Sequence, residues 1–229
     1  MNMKLSEKLI VFVFSVYILI QLVNVFYIRN QFKIKSGSIV NNDGFYSKEV
    51  IPFKHLKILS FALHGAIVKV KNSKKYEVKN LPDFDNLVKY ESRQDTLLIT
   101  IKEGYYNIEN SLGAFPITVL LPELESMTLE NCRLKLKDYN DTELTIIGKN
   151  KANISIEGNP YLQVLKLNLK KESNLTFDIS KPHKMKNINA NLMEMSSLNI
   201  QKVFPDAIKL LSSDDSSIEA NGSTLKKIN

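Results

Sequence analysis

The sequence predicts an all-β fold, a β-solenoid built of coils of 20–23 residues and preceded by one N-terminal transmembrane helix. Two observations carry the solenoid and one carries the helix. The phrases "NCRLKL", "KANISI", "ESNLTF", "MSSLNI" and "DSSIEA" recur, with first apolar residues Leu134, Ile154, Leu175, Leu198 and Ile218. Ten residues upstream of each stands another aliphatic: Leu124, Leu144, Leu165, Ile188 and Ile208. The helix rests on Leu9–Ile28, 20 residues without a charge.

In chain order, residues 1–8 form a short flank and 9–28 the span. At ~1.5 Å per residue such a helix crosses the ~30 Å hydrocarbon core of a bilayer. A cleaved signal peptide competes, but its apolar region normally runs ~7–15 residues before a small-residue cleavage site. Here "RNQFKIK" follows, which favours an uncleaved signal anchor. Charge does not orient it, since Lys4 and Lys8 precede the span while Arg29, Lys33 and Lys35 follow it. Residues 29–49, with "SGSIVNNDG", read as a tether, and 50–229 as the β-solenoid domain.

Within that domain the first strands are expected near Leu56–Leu63, Ala66–Val70, Tyr76–Lys79, Asn86–Tyr90, Thr96–Ile101 and Ile117–Leu121, punctuated by "NSKK", "NLPDFDN", "RQD" and Pro122. The repeat then takes over. Two residues after each leading aliphatic comes Leu136, Ile156, Phe177, Ile200 or Ala220, so each unit is two alternating strands separated by a corner. A fixed period of this length points to coils that bury their apolar faces by stacking on neighbours. The position before each strand is small: Cys132, Ala152, Ser173, Ser196 and Ser216. A stacked corner has no room for a long side chain. "LESMTLENCRL" also fits a leucine-rich repeat, but the later coils do not keep its asparagine position. The final "TLKKIN" is expected to be an exposed edge on which Lys226 and Lys227 discourage strand addition.

The stretches "ALHGAIVKVKNSKKYEVKN", "LVKYESRQDTLLITIKEG" and "ITVLLPELESMTLENCRLKLKD", with the coils after them, resemble the head GIN domain family, a domain of unknown function of autotransporter adhesins in Bacteroidetes-type bacteria. The resemblance covers roughly residues 50–225 and implies a single-stranded right-handed parallel β-helix, exported beyond the cytoplasmic membrane, with no established activity. The chain departs from the family in using Ser, Ala and Cys at its corners, where the family is rich in glycine, and in its anchor-like N-terminus. The second departure favours the periplasmic face of the inner membrane, with a single pass.

Little in the sequence points to catalysis. His55, His64 and His183 are isolated, without the spacing of a zinc site. No nucleotide-binding glycine loop appears among only 8 Gly. Cys132, the lone cysteine, reads as a small corner residue rather than a nucleophile. Asp138 with Asp141, and Asp214 with Asp215, are the carboxylate pairs that a glycan-cleaving enzyme could use, yet each sits at an expected turn, where Asp is common. The segment "GYYNIENSLGAFP", residues 104–116, carries Tyr105, Tyr106 and Phe115 beside asparagines, a combination suited to sugar or protein recognition. It equally suits a loop packed over one end of the domain.

The 31 Lys and Arg against 24 Asp and Glu give +7, spread along the chain. Together these features predict a non-catalytic, adhesin-like binding or scaffold module of the cell envelope, with no cofactor or metal. Its partners are the membrane, through the helix, and an envelope glycan or protein. The alternatives are a glycan-active enzyme using an exterior face and a basic anion-binding solenoid. Nucleic acid is disfavoured because aromatic residues are not interleaved with the lysines.

Overall fold

The computed structural model describes residues 39–40, 44–61, 66–82, 85–102 and 117–228, together with position 21. The strands of the first half are β1 (Ile39–Val40), β2 (Tyr46–Glu49), β3 (His55–Ser60), β4 (Ala66–Asn72), β5 (Glu77–Asn80), β6 (Val88–Arg93), β7 (Thr96–Ile101) and β8 (Ile117–Leu121). Then follow β9 (Ser126–Glu130), β10 (Cys132–Lys137), β11 (Glu143–Lys149), β12 (Asn153–Gly158), β13 (Val164–Leu169) and β14 (Asn174–Ile179). The last are β15 (His183–Leu192), β16 (Ser197–Ile200), β17 (Val203–Ser212) and β18 (Ser217–Ala220), before a short helix α1 (Gly222–Leu225).

Alternation of apolar and polar residues decides which face each strand buries. In β10 the inward Leu134 and Leu136 are 1% exposed, while Arg133 and Lys137 face out. The strands form a ten-stranded sheet in the order β1-β2-β5-β8-β4-β10-β12-β14-β16-β18 and an eight-stranded sheet in the order β17-β15-β13-β11-β9-β3-β7-β6. One core joins them. Val68, Leu134, Ile154, Leu175, Leu198 and Ile218 make one inner ladder in register. On the other sheet Leu97, Leu56, Met127, Ile146, Leu167, Ala190 and Leu210 make another.

The expected single-stranded right-handed parallel β-helix is not what the chain forms. Its strands divide between two sheets, and neither sheet is wholly parallel: β2 with β5, β5 with β8, and β6 with β7 run antiparallel. The order is also non-sequential, for β3 lies between β7 and β9, and β4 between β8 and β10. For β6 and β7 the cause is local turn chemistry. Arg93 pairs with Thr96 across a two-residue turn in which Gln94 takes φ 52°, so the chain doubles back as a hairpin instead of advancing to another coil. The ten-residue phase also slips once, because Ile146 stands opposite Met127 and Leu124 precedes β9. Leu124 is nevertheless 2% exposed.

The expected span, Leu9–Ile28, lies outside the described residues apart from Gln21, which is helical. Among the described residues no helix is long and apolar enough to cross a membrane, so the described fold includes no spanning helix.

The C-terminal residues are not a bare edge. Asn221 caps α1 by accepting from Thr224 N at 2.9 Å. Thr224 Oγ1 donates to Val203 O at 3.2 Å, Lys227 Nζ donates to Pro205 O at 2.8 Å, and Ile228 bridges to Ile208. Lys227 thus satisfies an edge carbonyl of β17 directly rather than only repelling another strand.

Candidate functional site: a groove along the stacked corners

Strands of the eight-stranded sheet pass to the ten-stranded sheet through tight corners that stack on one another. Three corners place two consecutive residues in the left-handed region: Asn150 (φ 51°) and Lys151 (φ 65°), Lys171 (φ 55°) and Glu172 (φ 58°), Glu194 (φ 55°) and Met195 (φ 60°). Asn131 (φ 50°) turns the corner between β9 and β10 alone. A left-handed residue with a Cβ costs roughly 1–2 kcal/mol, so the surroundings must hold these turns.

Backbone hydrogen bonds between corners do so. Lys151 N donates to Lys171 O at 2.8 Å, and Glu172 N donates to Glu194 O at 2.8 Å. The small residues complete the turns. Ser173 Oγ donates to Lys170 O at 2.7 Å and accepts from Ala152 N at 3.2 Å, and Ser196 Oγ donates to Met193 O at 2.6 Å. Ala152, Ser173 and Ser196 are all 0% exposed. Lack of space therefore explains only part of the small-residue series, since three of its members, including Ser216 with Ser213 Oγ at 2.9 Å, also bind the turn they close.

The corner row and the end of β3 enclose a groove of about 620 Å³. Phe61 and Met195, 63% and 60% exposed, give it apolar walls together with the half-buried Leu59. Polar groups line the rest. Asn150 Nδ2 donates to Glu130 Oε1 at 2.5 Å, Asn131 Nδ2 donates to Ser60 O at 3.1 Å, and Lys151 pairs with Glu172 at 3.6 Å. Lys171 and Glu194 complete the lining. An aromatic ring and a thioether beside amides and paired charges can hold a ligand that is apolar on one face and rich in hydroxyls on its edge. Among the described residues its lining holds no nucleophile with a base beside it.

Sequence reasoning placed recognition elsewhere. Tyr105, Tyr106 and Phe115 lie outside the described residues, as does His64. His55 Nδ1 lies 2.8 Å from Ser126 Oγ, and His183 Nε2 donates to Leu162 O at 2.7 Å, on separate strands. Asp138 Oδ1 accepts from Asn159 N at 3.1 Å and Asp141 Oδ2 from Leu124 N at 2.9 Å, so both carboxylates hold backbone turns. Asp215 accepts from Ser213 Oγ at 2.5 Å, which keeps its carboxyl below the usual range. Cys132 is 1% exposed and burial pushes its thiol up to about 12, the opposite of what a nucleophile needs. The groove's signal in the sequence was the pair before each small residue, "NK", "KE" and "EM", a recurring two-residue turn without the glycine that normally announces one.

No family model matches the chain, and no curated protein matches it. Solved structures do. The chain is similar to a "putative adhesin" from Bacteroides fragilis, with 15% identity, a TM-score of 0.41, and 77% of this chain and 92% of that one covered. It is similar to a "putative adhesin" from Parabacteroides distasonis at 10% identity and a TM-score of 0.38, covering 78% and 94%. A "putative lipid binding protein" from the same organism is similar at 12% identity and a TM-score of 0.27, covering 81% and 96%. These names include the adhesin kind that the sequence resembles, and none of them mentions a head GIN domain.

Proposed function

We propose that the two-sheet domain is a non-catalytic binding module of the cell envelope whose ligand, an envelope glycan, lies in the corner groove. The observation that carries this reading is the exposure of Phe61 and Met195 inside a concave surface that also carries amides and paired charges and is held by hydrogen-bonded turns. Size favours a glycan over a protein. A volume of about 620 Å³ falls within the ~300–1,000 Å³ of small-ligand clefts, whereas a standard protein interface needs about 800 Å² per partner. The ring supplies contact to a sugar's C–H face, and the amides of Asn131 and Asn150 supply polar edges. The carboxylate pairs favour binding over cleavage, because Asp138, Asp141 and Asp215 are committed to turns. Among the described residues no group of three or more His, Cys, Asp or Glu is placed to hold a metal ion.

The test is binding of the full-length chain, in nonionic detergent, to an immobilised panel of neutral oligosaccharides. Selective capture that disappears in a folded Phe61→Ser/Met195→Ser variant is the expected result. Absence of capture across the panel, or capture that the variant retains, would refute the reading.

A further inference from the structure

The outer face of the ten-stranded sheet carries a second arrangement, on residues that the groove does not use. β4 and β10 pair in parallel so that Lys135 stands opposite Lys69 and Lys137 opposite Lys71. Their intervening neighbours Val70, Leu134 and Leu136 are buried, so all four lysines project from the same outer face. The sheet spaces them by ~4.8 Å between strands and ~6.6 Å along them. Like charges directly opposite one another destabilise a sheet, and here two such pairs adjoin. Arg133, two residues from Lys135, and Lys79, one strand beyond Thr118, extend the basic face.

Carboxylates stand at its flanks. Glu157, opposite Lys137, pairs with Lys135 at 3.0 Å, and Glu77 lies 3.9 Å from Lys79. Asp178, opposite Glu157 on the next strand, continues that acidic flank. Partial burial, then the charges of Lys71 and Lys137, lower the Lys69 pKa from its ordinary value. From Lys135 the same row continues through Ser155, Thr176 and Asn199 on successive strands, a flat hydrogen-bonding track that begins at the cations and ends at Glu219, to which Asn199 Nδ2 donates at 2.6 Å.

We propose that this face binds a linear anionic polysaccharide, its carboxylate or sulfate groups seated on Lys69, Lys71, Lys135 and Lys137 and its hydroxyls lying along Ser155, Thr176 and Asn199. Charge complementarity selects the class, and the extended polar track selects a polymer over a small anion. A lipid surface fits less well, because, among the described residues, the exposed large hydrophobic side chains Ile51, Tyr161, Phe204 and Leu211 lie outside the strands of this face. Nucleic acid fits less well because, among the described residues, these rows carry no aromatic ring on which a base could stack.

The test is titration calorimetry of the full-length chain in nonionic detergent with polygalacturonate and with heparin, against neutral dextran. The expected result is binding of at least one polyanion, weakened by salt, with no response to dextran. A Lys71→Gln/Lys137→Gln variant should bind at least about tenfold more weakly while melting at the same or a higher temperature, because a like-charge pair has been removed. The single Lys137→Gln serves should the double variant fold poorly. Lys209→Gln, on the other sheet, should bind as the parent does. The proposal is overturned if neither polyanion binds, if the double variant binds normally, or if Lys209→Gln loses as much affinity. It is equally overturned if phosphatidylglycerol vesicles or duplex DNA are bound in preference to both polysaccharides. Phe61→Ser/Met195→Ser should leave this binding intact, so failure here and failure of the groove reading are separate outcomes.

Discussion

The hydroxyl of Tyr139 donates to the carbonyl of Leu124 at 2.5 Å, in a position where the tyrosine is 2% exposed. It also reaches Glu143 O at 3.3 Å, so one side chain ties the approach to β9 to the start of β11. Burial holds this phenol protonated well above its ordinary range. Tyr139→Phe should therefore lower stability by about 1–2 kcal/mol, the cost of leaving a buried acceptor unmet. Urea unfolding with an unchanged m-value is the check.

The same substitution at Tyr90 should have the opposite sign. Its hydroxyl is buried without a hydrogen-bond partner among the described residues. Removing a polar group that burial has stripped of water, with nothing regained, relieves a penalty. Tyr90→Phe should be neutral or stabilising by up to about 1 kcal/mol. A loss comparable with that of Tyr139→Phe would show that the hydroxyl is satisfied.

Left-handed corners predict a second opposed pair. Lys171 holds φ 55° with a Cβ, so Lys171→Gly should raise the melting temperature slightly, the relief of about 1 kcal/mol exceeding the added unfolded-state entropy. Gly158 holds φ 81°, and a Cβ there would collide with the Asp138 carboxylate. Gly158→Ala should cost about 1–3 kcal/mol. Thermal melts of both variants beside the parent decide this.

Cys132 should behave as a reporter of global unfolding. At 1% exposure, with its thiol pushed up to about 12 by burial, it should resist maleimide labelling until the core opens. The linkage has a definite sign. The folded value lies above the ordinary ~8.5, so this contribution to stability is intact below that value and declines as pH rises from about 8.5 towards 12. Labelling rates that follow the unfolding equilibrium across denaturant would support this, while fast labelling of the native protein would contradict it.

What was legible in the sequence was local and periodic. The phase of Leu134, Ile154, Leu175, Leu198 and Ile218 appears as an in-register ladder because side-chain alternation ties register to burial. Of the six expected early strands, Thr96–Ile101 and Ile117–Leu121 have the observed bounds, and the others overlap their counterparts. The step from ladder to closed coil was not legible. It depends on which strands of the first half pair, and no local pattern states that β3 joins β9 or β4 joins β10. The groove was hidden for a different reason. Its turns use Asn150, Lys151, Lys171, Glu172, Glu194 and Met195 at positive φ, where chain statistics would have flagged glycine. The lysine quartet was readable only once β4 and β10 were known to be neighbours, since "IVKVKN" and "NCRLKLKD" lie far apart in the chain.

The most direct measurement is methyl NMR of the methionine-labelled full-length protein during titration with the oligosaccharide that the panel selects. Met195 stands in the groove at 60% exposure, while Met127 and Met185 are buried in the core at 0% and 1% and serve as internal controls. The account predicts saturable movement of the Met195 methyl signal with the other two nearly still. Binding that leaves Met195 unmoved would contradict it.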